Sequence, residues 1–573
     1  MRLFTIPLLT AFSFIFAPGA YARLYACGGF NGWNALNPAE FAFSEGLYTL
    51  DIDFSVSDEL KISTVKGETG NGWGEFDTGT LYPETAVLAG RWVPLKAQDK
   101  SANIVAPAKT EMTVTVDLDR MLIKFGDGTE APASWSGTLP VLFINTAGGK
   151  PVTEKEKYLD ATYYLDPMGL PGVEAVGSSH EPLATQIKGR GNYTWSGFEK
   201  KPYRLKFAEK ASVLGMPASR HFVLLAHADD SDGFLRNESG FTLSRLLGMP
   251  WTPESEPVEL VMNGEYMGLY FLTQNIRVSK DRVDIVEQED LATADVDGGW
   301  LVEIDNYDSD PHVTVFENGN ADAPIWFTYK SPEALSTEQE TYLQSQMQAI
   351  DDAVYSPDNT GTDTPLSRLV DFDVLARYYI TQEVVDDSES FHGSCYLNRD
   401  RGEERKWKFG PVWDFGNAFN RRVSDRFIWQ DPAFHEVWIG TIYRFPAFRR
   451  KVEELWAWYL GFGPEALKSR LSSFVDKIEV AALYDARRWP AYGNADIRED
   501  LKTVTELIDA KTEWLRRQWG SQSGIQGSRD ASGTLTDVYD LQGTKVLSGA
   551  SEADMRKLPA GLYITPRGKF LVR

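Results

Sequence analysis

Ser231 to Gly248 read SDGFLRNESGFTLSRLLG. Apolar residues at 235, 243, 246 and 247 share one helical face, Ser231 or Asp232 stands as N-cap, and Gly248 followed by Pro250 marks the stop. The fold class turns on what flanks this helix. Strand-like runs lie on both sides: PVLFINT (140–146), KPYRLKF (201–207) and HFVLLA (221–226) before it, PVELVMNGEYMGLYFLTQNI (257–276) and GGWLVEID (298–305) after it. Farther on, helical patterns dominate. LVDFDVLARYYITQEVV (369–385) has Asp371 as N-cap and an apolar face at Val374, Leu375, Tyr378 and Tyr379. An acidic turn, DDSESFHGS (386–394), and a strand pair, CYLNRD and RKWKFGPVWDF, follow, and amphipathic helices run from about Pro446 to Trp519. A strand-rich half with one inserted helix, then a helical half, predicts an α+β domain of two lobes over 135–521.

At 573 residues the chain exceeds one core. Residues 23–128 alternate apolar and polar in short runs broken by turn residues and predict a β-sandwich. Residues 533–573 predict a small C-terminal β-module, so the whole reads as a multidomain α+β protein. Residues 1–22 carry an early Arg, an apolar run and Ala20-Tyr-Ala22, the pattern of a secretory signal peptide. The expected location is therefore secreted, periplasmic or at the cell surface. LYAC (24–27) faintly matches a lipoprotein box that would lipidate Cys27, with Tyr25 a poor fit. No later run of 18 apolar residues suggests a membrane span. Fifty-eight basic against 82 acidic residues leave a net charge of −24, which argues against general affinity for nucleic acid or anionic membrane. Two distant cysteines exclude a disulfide framework, and six scattered histidines make no zinc motif.

Against that acidic background, Lys188–Lys210 holds seven basic residues, at 188, 190, 200, 201, 204, 206 and 210, and two acidic ones, at 199 and 209. Gly189 and Gly191 allow a turn with exposed backbone N–H groups beside those cations, a place for an anionic ligand such as phosphate; the bland alternative is a solvated basic strand face. A second cluster is GPVWDFGNAFN (410–420), which sets Asp414 at a strand end and follows the acidic turn by some 25 residues. Phosphoryl transfer needs a carboxylate near the acceptor hydroxyl and another on Mg²⁺, and Asp414 with Asn417 supplies oxygen ligands. Helix and turn capping is the structural alternative for these carboxylates.

Several stretches in order, KGRGNYTW, KKPYRLKF, LGMPASRHFVLLAHADD, FLRNESGFTLSRLLG, ELVMNGEYMGLYFLTQNI, GGWLVEID and KFGPVWDFGNAF, resemble the CotH kinase family, atypical protein kinase-like proteins. The resemblance implies a kinase-like fold that binds ATP and Mg²⁺ and phosphorylates a protein hydroxyl. It implies phosphate contacts from the KGRGN turn (Lys188, Arg190) and from Lys201, Arg204 or Lys206. Glu238 would orient the lysine, Gln274 would sit at the hinge, and Asp414 and Asn417 would bind metal. The catalytic base is left open among Asp386, Asp387 and Glu389. GGFNGWN (28–34) resembles a turn of glycan-binding immunoglobulin-like modules, which implies Trp33 and Trp73 stacking on a polysaccharide; the alternative places Trp33 in the core. The VYDLQG, LPAGLYI and GKFLVR pattern at the chain end resembles the type IX secretion sorting domains of Bacteroidetes-like bacteria. Two functions are thus expected: a secreted protein kinase acting on an envelope or extracellular protein, or a non-catalytic kinase-like scaffold serving as an adhesin or glycan-binding accessory. A glycoside hydrolase ranks last, because the separation of two carboxyls is not written in a sequence.

Overall fold

The structure is a computed structural model that describes residues 23–520 except 45, 68–77, 84–86, 88–91, 119–120, 127–134, 289–295, 306, 308–309, 403–404, 423–424, 433–434 and 493–495. Beyond 520 it describes 536–539, 545–550, 558, 561–565 and 568–572. The predicted signal segment and Trp73 lie outside the described residues. The chain divides into two compact units, 1–137 and 138–573.

The first unit is a ten-stranded antiparallel assembly: β1 (Tyr25–Gly28), β2 (Ala39–Glu40), β3 (Ala42–Ser44), β4 (Leu47–Asp53), β5 (Glu59–Ser63), β6 (Thr80–Pro83), β7 (Trp92–Ala97), β8 (Ile104–Val105), β9 (Glu111–Asp117) and β10 (Leu122–Phe125). Alternate residues, among them Ile52, Leu60, Ile62, Val114, Val116 and Phe125, meet in one apolar core. Leu24 and Ala26 are fully buried there, so cleavage before Cys27 would strip core residues from the domain; this counts against the lipidated form. Trp33, at φ 60°, is half-buried against Tyr25, Cys27 and Ala35, so part of its ring is packing surface.

In the second unit the strand-rich half closes into a barrel. Its strands are β11 (Val141–Thr146), β12 (Leu159–Asp166), β13 (Leu183–Gly189), β14 (Tyr203–Ala211), β15 (Ser219–Leu225), β16 (Ser255–Met262) and β17 (Glu265–Gln274). All neighbours are antiparallel except β11 and β16, whose parallel pairing closes the ring. Leu142, Ile187, Leu205, Phe222, Leu224 and Leu272 fill the interior, so Lys188, Arg204, Lys206 and His221, one residue out of step, face outward. A five-stranded sheet follows, ordered β19 (His312–Phe316), β20 (Pro324–Ser331), β18 (Trp300–Asp305), β21 (Cys395–Arg399), β22 (Lys408–Phe409). Strands 23–26 (Thr536–Tyr539, Lys545–Ala550, Gly561–Thr565, Gly568–Val572) make a separate four-stranded sheet near the chain end.

The helices are α1 (Tyr193–Gly197), α2 (Leu235–Leu247), α3 (Thr337–Val354), α4 (Pro365–Leu369), α5 (Phe372–Val384), α6 (Ile439–Ile442), α7 (Pro446–Tyr459), α8 (Gly463–Arg488) and α9 (Ile497–Trp519). The expected N-cap of α5 holds: Asp371 accepts from Asp373 N at 3.0 Å and Val374 N at 3.2 Å. The start of α2 differs from expectation. Phe234, not Ser231 or Asp232, is its N-cap: Ser231 and Asp232 are engaged by the Arg236 side chain, while Asp230 accepts from Arg236 N in the first turn at 3.1 Å. Its end is as read: Gly248, at φ 74°, donates its N–H to Arg245 and Ser244 carbonyls. One apolar core joins α2, α5, α7, α8 and α9 to the outer face of the barrel at Val223, Leu225, Leu269 and Phe271.

Candidate functional site

Between the barrel, the five-stranded sheet and the loops before α2 and after β22 lies a polar cleft of about 790 Å³. That volume is within the range of small-molecule sites. The barrel contributes Arg190 and the turn to Thr194, the sheet Glu303, Asp305 and Lys330, the 386–394 turn Glu389, and the post-β22 loop Trp413, Asp414, Gly416 and Asn417.

The loop after β22 differs from expectation in one respect. The strand stops at Phe409, so Asp414 stands five residues past it, in an irregular segment at φ 58°. A non-glycine residue in that region is uncommon and marks a conformation enforced by its surroundings. Three contacts enforce it. Arg236 donates to Asp232 at 2.8 Å, to Ser231 Oγ at 3.0 Å and to the Gly416 carbonyl, clamping the pre-α2 loop to the Asp414 loop. Asn237 accepts from Phe415 N at 3.3 Å while its amide meets His227 Nδ1 at 3.3 Å. Phe415 packs so tightly on Gly240 of α2 that a Cβ there would come within 2.3 Å of its ring. Gly240→Ala is therefore expected to push Phe415 and the Asp414 loop outward and to cost about 1–3 kcal/mol. A melting curve showing an unchanged Tm would contradict this packing.

The clamp brings two carboxylates together. Asp229 Oδ2 and Asp414 Oδ1 each lie 3.3 Å from the point a Cβ on Gly416 would occupy, so the two carboxylates are neighbours beside that glycine, no more than twice that distance apart. Burial pushes the Asp229 carboxyl up from its ordinary range and the Asp414 charge adds to the shift, while Arg236 and Arg190 oppose it. Two carboxylates so placed repel unless a proton or a cation is shared between them. Arg190, half-buried beyond them with its guanidinium 5.5 Å from the Trp413 ring centre, forms no ion pair among the described residues. Burial lowers its proton affinity, and Asp414 works against that. His227, buried beside Lys200 and Arg190, is held down to about 3, with desolvation the larger cause, and so stays neutral across the physiological range. On the sheet side Lys330 sits 2.7 Å from Glu303, whose carboxyl burial pushes up to about 7 against the pull of that lysine.

Of the residues singled out in the sequence, the cleft gathers Arg190, Glu389, Asp414 and Asn417. Asn417 donates to Glu389 and accepts from Asn420 at 2.7 Å, which ties the acidic turn to the Asp414 loop and commits one amide oxygen lone pair. The others lie outside its lining. Asp386 is consumed by Lys511 at 2.9 Å and by Arg421, and Asp387 is buried and accepts from Glu389 N at 3.2 Å. Burial pushes the Asp387 carboxyl far up, with the neighbouring carboxylates adding to it. Glu238 pairs with Arg470 at 3.4 Å and Thr242 at 3.0 Å, without a lysine. Lys201 donates to the Trp195 carbonyl, Gln274 accepts from Glu254 N at 3.1 Å, and Lys188, Arg204 and Lys206 lie on the outer barrel face. The sequence reading missed Asp229, Arg236 and Asn237. Their signal was the run HADD closing a strand-like segment, with Arg and Asn in the first turn of the next helix.

The CotH kinase protein family model matches residues 187–515, more than half of the chain, from the end of β13 into α9. The chain belongs to the CotH kinase family. No curated protein matches it. The matched span contains every cleft residue named above. Among the described residues of this CotH-family chain, no group of three or more His, Cys, Asp or Glu is arranged to hold a metal. The neighbouring carboxylates of Asp229 and Asp414 still suit Mg²⁺, which typically takes one or two protein carboxylates and completes its shell with water and phosphate oxygens.

Proposed function

We propose that this chain is an exported, ATP- and Mg²⁺-dependent protein kinase that transfers the γ-phosphoryl group to Ser or Thr hydroxyls of an envelope or extracellular protein. The neighbouring pair Asp229 and Asp414 carries the reading, because a carboxylate pair strained by like charge gains from a divalent cation. Asp229 and Asp414 would hold Mg²⁺, and the ion would supply positive charge to offset that of the phosphates. Arg190, flanking the acids and without an ion pair among the described residues, holds the phosphate chain. Glu389 is the base, being the one member of the acidic turn trio that lines the cleft: it takes the acceptor hydroxyl proton as the new P–O bond forms and ADP departs.

The second reading, a non-catalytic scaffold, draws on one observation: Glu238 is engaged with Arg470 rather than a phosphate-binding lysine. Thermal denaturation of the full chain with ATP, Mg²⁺, both and neither separates the two readings. The kinase reading expects stabilisation that needs both, about 2.7 kcal/mol at a hundredfold excess over Kd. An unchanged Tm, with a polysaccharide retarding the protein in an affinity gel, sinks the kinase and supports the scaffold.

A further inference from the structure

Most of the basic motif around Lys188–Lys210 is not used by the cleft. Lys188 lies opposite Arg204 in the β13–β14 ladder, and Lys206 lies opposite both Gln186 and His221. Directly opposed residues share a face, so these cations form two adjacent rows on the outside of the barrel. They converge on Tyr158, just before β12. Lys188 Nζ is 5.0 Å and Lys206 Nζ 6.0 Å from its ring centre, and Arg204 bonds its hydroxyl. None of the three forms an ion pair among the described residues; Glu156 acts electrostatically on Lys188 and Glu333 on Tyr158. The field is strong enough to act on a neighbour: His221 is held down to about 4, by burial first and then by Arg277, Lys206, Arg282 and Arg204. In a chain of net charge −24, whose other cations are widely paired, three unpaired cations on one sheet face are a standing electrostatic cost that an anionic partner relieves.

Position identifies the partner. Arg190, in the cleft, follows Lys188 by two residues, about 6.6 Å along an extended chain. An extended polypeptide has the same two-residue repeat on one face, so a peptide whose hydroxyl reaches the cleft lays alternate side chains over Lys188, Arg204 and Lys206. We propose that the Lys188–Arg204–Lys206 face docks an acidic segment of the acceptor protein, with Asp, Glu or phosphoserine flanking the phosphorylated hydroxyl. This rests on the kinase reading for its purpose, not for its binding chemistry.

The test uses the full chain and fluorescein-labelled decapeptides with a central Ser, flanked by Glu, by Gln or by Lys, with anisotropy read at several salt concentrations. The Glu peptide is expected to bind, more weakly as salt rises, and Arg204→Glu with Lys206→Glu to lower its affinity by about tenfold or more. Lys188→Gln with Lys206→Gln, which cannot introduce repulsion, should weaken it in the same direction, and a circular dichroism melt confirms folding of both variants. Equal affinity for the three peptides, or variants that bind like wild type, overturns the proposal. So does displacement of the peptide by ATP and Mg²⁺, which would assign the face to nucleotide, or preferential binding of polygalacturonate over the Glu peptide. ATP binding is followed separately by melting. Peptide binding without nucleotide binding removes the kinase and keeps the docking face, and nucleotide binding without peptide binding does the reverse.

Discussion

Asp414→Asn is expected to lower ATP-dependent phosphoryl transfer by about 10²–10³-fold or more, the scale on which one preorganised electrostatic contact at a reacting centre acts. Asn is the informative replacement because it tolerates the left-handed backbone that Asp414 adopts at φ 58°, whereas Ala would add strain to the loss of charge. The fold should not suffer. Asp414 is exposed and repels Asp229 beside Gly416, so its neutralisation is expected to leave Tm unchanged or slightly raised in the absence of ligand. Label transfer from γ-labelled ATP to a Ser-containing acceptor, with Tm measured on the same samples, gives both readouts. A variant that retains wild-type transfer would mean that Asp414 is not at the reacting centre, and the assignment of the cleft would fall with it. Loss of transfer together with a large fall in Tm would instead make Asp414 structural.

The largest effect on stability is expected at Asp485→Ala. Asp485, on α8, is buried, forms an ion pair with Lys200 at 2.7 Å and accepts from Leu269 N at 2.8 Å. Lys200 is equally buried, with its ammonium 5.1 Å from the Tyr270 ring centre and 5.3 Å from that of Phe234. The pair joins the barrel to the helical half at one point. β17 comes close enough to reach it only because residue 268 is glycine: at φ 95° and with Asp485 Oδ1 where a Cβ would stand, no side chain fits. Removing one partner leaves the other charge buried and alone, at a cost of about 3–5 kcal/mol. Lys200→Met with Asp485→Leu, which removes both charges, is expected to recover much of that loss. Urea denaturation of the three variants decides it: if the single and double variants lose the same stability, packing rather than charge holds the junction.

Much of the architecture was legible in the sequence because it rests on local rules. The period of apolar residues placed α2 and α5, Asp371 and Gly248 terminated them, and helices from Pro446 to Trp519 were expected where α7, α8 and α9 stand. The start of α2 was misread for a reason outside the local sequence. Ser231 and Asp232 look like caps, but the Arg236 side chain engages both and Arg422 pairs with Asp232 as well. The barrel was illegible as a barrel, because closure depends on β11 meeting β16 more than a hundred residues later, and no local pattern records that parallel pairing.

The candidate site divides the same way. Asp414 could be singled out as a lone carboxylate among aromatic and Gly residues, and Arg190 as part of a Gly-flanked basic cluster in an acidic chain. Among Asp386, Asp387 and Glu389 the sequence had no means of choosing. The choice depends on Lys511 and Arg421, which lie 125 and 35 residues from Asp386 and draw it into a buried ion cluster, leaving Glu389 at the cleft. Lys188, Arg204 and Lys206 were expected at the phosphates from the motif around them, and the alternation of the strand turned them to the outer face of the barrel. By itself, the sequence determined the acidic balance, the order of strands and helices, and the membership that its motifs carry, because composition, periodicity and motif are properties of neighbours along the chain. Only the tertiary structure decided which carboxylates come together, which cations are left without an ion pair among the described residues and where the cleft opens, because each depends on pairings between distant segments that minimise buried, unsatisfied charge.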